Sequence, residues 1–169
     1  SQWSRILAER AGLKAVEDAF VAGLVHDIGR AVIEREFPAA AGEIERLTFQ
    51  GRTLEEAERE RLGQTHADIG AYLADLWKFP LPIVEAIAQH HAPQVELQAS
   101  KRRPVLVPIV NSACFLSGLP FQPYDEAQNR MLFEGLPPEL RAQHSLDEHL
   151  LRFVPGIYEK AGELASWLA

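Results

Sequence analysis

Five side chains define the chemistry open to this chain: His26, Asp27, His66, His90 and His91. His26 and Asp27 stand side by side within the apolar run 19–33. Ionisable groups are costly in such a run unless a partner, a proton or a metal compensates them. His66 follows His26 by 40 residues and His90 follows His66 by 24, spacings that let separate helices return to one cleft. Helical bundles build metal sites in this way, from inward side chains on facing helices. Neutral imidazoles with one carboxylate suit a borderline divalent ion such as iron, manganese or zinc. The alternative is a buried hydrogen-bond network with no ion, in which a histidine holds Asp27. Adjacent helical residues point about 100° apart. His90 and His91 can therefore divide the work, one as ligand and the other on a phosphate or an outer carboxylate.

The elements that must position these residues read almost entirely as helix. Residues 3–11 form the first, ended by Gly12. Apolar positions Val16, Ala19, Phe20, Gly23, Leu24, Ile28, Val32 and Ile33 predict one helix over 15–35, stopped by Pro38. Gly29 is expected to take a positive φ, turning the chain so that His26 and Asp27 face a cleft. A helix over 40–50 ends at Gly51. Thr53 and Glu56 form a capping box for a mostly charged, surface helix reaching Leu62. Thr65 and Asp68 open the next in the same way, so Asp68 reads as a cap rather than a ligand. Ile69, Tyr72, Leu73, Leu76 and Trp77 are its expected buried stripe. Pro82 suits a first helical turn, and the helix over 83–91 carries the histidine pair at its end. Pro108 argues against a central strand at 105–110, and the run through Leu116 favours a buried helix. Helices follow near 126–133, 138–143, 145–153 (Ser145 with Glu148 as a box) and 156–168. His144 and His149 read as solvated, Cys114 as a small hydrophobe, and Trp3, Trp77 and Trp167 as core or interface residues.

Composition narrows the function classes. At 169 residues and 47% hydrophobic, the chain can bury one sizeable core. A formal net charge of −7 argues against general binding to nucleic acid or anionic membrane. Lys101-Arg102-Arg103 is the local exception and reads as a solvated loop. One cysteine excludes an internal disulfide and fits a reducing cytoplasm. No apolar run approaches the ~18 residues of a membrane span.

Ala22-Gly-Leu-Val-His-Asp-Ile-Gly-Arg30 resembles the HD-superfamily signature. Thr65-His-Ala-Asp-Ile-Gly-Ala71, Trp77-Lys-Phe-Pro80 and Ile83-Val-Glu-Ala-Ile-Ala-Gln-His-His91 resemble its HDOD branch, in the family's order and over about residues 5–120. The resemblance implies an all-α, HD-type helical bundle and a regulatory role in bacterial signalling through protein partners. It also implies a metal site drawn from His26, Asp27, His66, His90 and His91. Three departures bear on catalysis. Catalytic HD phosphohydrolases carry a further histidine upstream, and residues 1–25 contain none. Their later aspartate aligns with Cys114. The Gly-Tyr-Pro loop of the cyclic-dinucleotide phosphodiesterases is replaced after His91 by Ala92-Pro-Gln-Val-Glu-Leu97. The expectation is a single cytoplasmic HDOD-like domain over 1–169, a piece lacking the family's upstream helical half. It is expected to hold one divalent ion or none, to have no catalytic residue, and to accept a nucleotide or phosphate ligand. The competing reading is a metal-dependent phosphohydrolase with an incomplete site.

Overall fold

The computed structural model describes residues 1–92 and 105–160, and every regular element among them is helical. The elements are α1 (Gln2–Arg10), α2 (Val16–Val25), α3 (Ile28–Glu36), α4 (Pro38–Phe49), α5 (Leu54–Leu62), α6 (His66–Leu76) and α7 (Leu81–Gln89). After them come α8 (Val107–Ser117), α9 (Glu126–Glu134), α10 (Pro138–Gln143) and a 3-10 helix, Glu148–Phe153. Residues 154–160 are again helical. Lys101, Arg102, Arg103, Trp167 and the end of the helix expected over 156–168 lie outside the described residues.

Local chemistry accounts for the boundaries. Both capping boxes form: Thr53 and Thr65 accept the third-position amides, while Glu56 and Asp68 accept the cap N–H groups at 3.0 and 2.9 Å. That places Asp68 as the cap it was read to be, and the Thr65 N–H holds its carboxyl below the usual range. Gly63 closes α5 in the left-handed region, at φ +72°, where a β-carbon would be strained.

Among the described residues three apolar clusters hold the helices together. Ile83, Ala86 and Ile87 of α7 pack with Ala8, Ala19, Ala22, Ala74, Val107 and Val110. Trp3 and Leu7 pack with Leu116, Phe121, Phe133, Leu150 and Val154. Ile33, Ile44, Leu47 and Ala57 join α3, α4 and α5. Full burial of a side chain such as Ile87 stabilises the fold by roughly 1.5–3 kcal/mol. No helix among the described residues is long and apolar enough to cross a membrane.

Several expectations are corrected. The helix read over 15–35 is two, because the chain bends at His26 and Asp27. Gly29 is not the turn, since it lies inside α3 and its φ is not positive. Its need is proximity: a β-carbon there would sit 2.0 Å from the His66 carbonyl oxygen. That close crossing of α3 and α6 uses small residues, so Ala67, Gly70 and Ala74 form the buried face of α6. Tyr72, Leu76 and Trp77, expected to be buried, are exposed at 69%, 56% and 57%. Ser145 has φ +51° and begins no helix. Asp147 caps the 3-10 helix instead, accepting from the His149 N–H. His144, expected to be solvated, is buried. It stacks on Phe115 and lies 3.1 Å from the Ser112 hydroxyl.

Candidate metal centre

Four helix ends meet at the site. His26 caps the C-terminus of α2 and His90 that of α7. Each donates its Nδ1–H to the carbonyl three residues back, Gly23 at 3.1 Å and Ile87 at 2.8 Å. A carbonyl only accepts, so these bonds place a proton on Nδ1, and in the neutral ring Nε2 is then a bare lone pair. Asp27 stands at the N-cap of α3, and His66 is the first residue of α6. A carboxylate is favoured at helix N-termini, where the amide dipoles point at it.

His66 is held from behind by Glu58, although the charged run around it predicts a surface position. Glu58 is 2% exposed. Its Oε2 accepts the His66 backbone N–H at 2.9 Å and lies 2.7 Å from the ring Nδ1. The signal was present in the spacing: Leu54, Glu58 and Leu62 fall at i, i+4 and i+8, on one stripe of α5.

One donor atom each from Asp27, His66, His90 and His91 lies within 4.8 Å of the others. His66 Nε2 is 3.3 Å from His90 Nε2 and 3.1 Å from His91 Nε2. Asp27 Oδ1 is 3.4 Å from His90 Nε2 and 3.5 Å from His66 Nε2. His91 can turn one N–H toward His66, yet His90 Nε2 still faces the lone pairs of both Asp27 and His66. Such a cluster of acceptors is stable only around positive charge. The donor set therefore fits a metal ion, with neutral imidazoles and an ionised carboxylate as ligands. Burial pushes Asp27 up, but the positive charge that His90, His26 and His66 offer when protonated outweighs it and holds the carboxyl well below its usual range. Burial, then the neighbouring His90 and His66, push His91 down to about 4.

His26 stands beside the cluster rather than in it. Its Nε2 is 3.6 Å from Asp27 Oδ2, and its ring meets His90 edge-on at 4.9 Å. Arg30 approaches the same Oδ2 at 3.7 Å. On α8, burial and then the charge of Asp27 raise the Cys114 thiol, although its sulfur is not among the grouped donors. Asn111, which no local pattern in the sequence marks, donates to the His90 carbonyl at 2.6 Å, and its buried Oδ1 has no partner among the described residues.

Residues 1–93 match the HDOD domain family. An uncharacterised protein of Treponema pallidum (strain Nichols) is 28% identical over 87 residues, covering 50% of this chain and 17% of that protein. A crystal structure described as that of a "putative phosphohydrolase" from Shewanella amazonensis SB2B superposes with a TM-score of 0.66 at 25% identity. That match covers 94% of this chain, which spans 55% of the Shewanella chain.

Proposed function

The chain belongs to the HDOD domain family, and on that premise we propose that it is a regulatory module built around one divalent ion. It acts on protein partners and does not hydrolyse phosphate. The observation that carries this reading is the donor set itself, three imidazole nitrogens and one carboxylate oxygen gathered within 4.8 Å. Iron, manganese or zinc suits that set. A bound ion would supply a Lewis acid able to polarise water or grip a phosphate oxygen. Asp27, His66, His90 and His91 would hold it, with His26 and Arg30 on the outer oxygen of Asp27.

Two features support regulation over turnover. Among the described residues the group contains a single carboxylate, which favours one ion over a bridged pair. Tyr72 and Leu76 of α6, its C-cap Trp77 and Leu81 at the start of α7 are each at least half exposed, and exposed apolar side chains offer a surface for protein contact.

The second reading, a metal-dependent phosphohydrolase, draws on the similarity to the Shewanella protein and on the partial exposure of Asp27. The deciding experiment loads purified protein with manganese, iron(II) or zinc and offers it bis(4-nitrophenyl) phosphate and nucleotides. The regulatory reading expects no hydrolysis above buffer with bound metal. Metal-dependent turnover lost in Asp27→Ala would replace it with the second reading.

A further inference from the structure

Among the described residues Glu58 is the one acidic side chain that is buried. A carboxylate taken out of water is strongly disfavoured unless its oxygens are fully engaged. Helix starts do not explain its retention, because Thr53 with Glu56 and Thr65 with Asp68 already cap α5 and α6. Both Glu58 oxygens are spent on one residue. Oε2 accepts the His66 backbone N–H at 2.9 Å, and the ring Nδ1 lies 2.9 Å from Oε1 and 2.7 Å from Oε2.

We infer that Glu58 is a positioning residue for the metal centre, one that locks the proton of His66 onto Nδ1 and aims its Nε2 lone pair at the cluster. The inference rests on the proposal that the four donor atoms hold an ion. A carboxylate on the far nitrogen of a ligating histidine fixes ring orientation and tautomer and makes the ligand nitrogen more basic. His90 obtains its orientation from the Ile87 carbonyl, a neutral acceptor. His66 therefore receives the anionic support that His90 lacks. Without Glu58, His66 is free to move its proton to Nε2. There it would lie between His90 and His91, where the ion belongs.

The test uses the full chain in two measurements. Nitrogen-15 NMR of the metal-free wild type should show His66 as the Nδ1–H tautomer, and an Nε2–H signature would overturn the inference without any variant. Zinc affinity is then measured by competition with a chelating dye for wild type, Glu58→Gln and Glu58→Asp, with metal-free unfolding midpoints as the folding control. Glu58→Gln should bind zinc roughly 10- to 100-fold more weakly, and Glu58→Asp should recover part of that loss because it keeps the charge. Equal zinc affinity in wild type and Glu58→Gln would refute a positioning role. If the wild type takes up no zinc, the metal reading fails by itself, and the tautomer still decides what Glu58 does.

Discussion

Gly29→Ala should be the most damaging single-methyl change at the α3–α6 crossing. The new β-carbon would lie 2.0 Å from the His66 carbonyl oxygen, 2.8 Å from its carbon and 2.9 Å from the Gly70 nitrogen. All three are backbone atoms, so no side chain can swing aside. Reaching an ordinary contact of 3.4 Å requires the helices to part by about 1.4 Å. Overpacking in well-filled interiors costs typically 1–3 kcal/mol, and the rigidity of these neighbours places this case near the upper end, about 3 kcal/mol. For a chain of this size that lowers the melting temperature by roughly 6–12 °C. The same displacement carries His66 away from Asp27, now 3.5 Å apart, so metal affinity should fall with stability. Thermal unfolding by circular dichroism checks the first effect and zinc titration of the folded fraction the second. Gly42→Ala is the control, since nothing among the described residues lies within 4 Å of its β-carbon position in the middle of α4. It should be neutral or stabilising by up to about 1 kcal/mol. A Gly29→Ala protein melting within about 1 °C of wild type would show that the close crossing is not what sets the site's geometry.

Two further perturbations probe the packing away from the centre. The Ser4 hydroxyl is fully buried with no hydrogen-bond partner among the described residues. Ser4→Ala should therefore leave the urea midpoint unchanged or raise stability by up to ~1–2 kcal/mol, whereas a loss above ~1 kcal/mol would mean the hydroxyl has a partner. Burial lowers the His144 imidazole below its ordinary value of 6.5, so the unfolded chain binds its proton first as pH falls. Its contribution is complete above pH 6.5 and is lost as the pH falls from there toward the lowered value. His26 and His91 are also lowered and slope the same way, so the comparison is with His144→Gln. Between pH 7.5 and 5.0 wild type should lose more stability than the variant, and equal losses would contradict a buried neutral His144.

The sequence exposes those parts of the site that break a local pattern. His26 and Asp27 stand out because charge interrupts an apolar run, and Thr65 with Asp68 stands out because a capping box has a fixed spacing. Glu58 does not stand out, because it sits among five other charged residues in 54–62, where polarity suggests solvent. Only the i, i+4, i+8 register with Leu54 and Leu62 marks it as inward. Tyr72, Leu76 and Trp77 mislead for the opposite reason. Apolar periodicity favours a large-residue face, but the Gly29–Gly70 approach lets α6 pack through its small residues. The break between α2 and α3 is invisible to periodicity. At the break the His26 ring donates back to the Gly23 carbonyl, and Asp27 faces two histidines from distant helices. His144 gives no local signal, since its environment comes from Ser112 and Phe115 on α8.

Metal stoichiometry with ligand identity is the most direct test. Protein stripped of metal, incubated with excess zinc and freed of unbound ion should hold one zinc per chain. X-ray absorption should report three imidazole nitrogens and one carboxylate oxygen, and Asp27→Ala and His66→Ala should hold none at the same concentration. A wild type that stays empty, or one that carries two ions per chain, would contradict a centre made by Asp27, His66, His90 and His91.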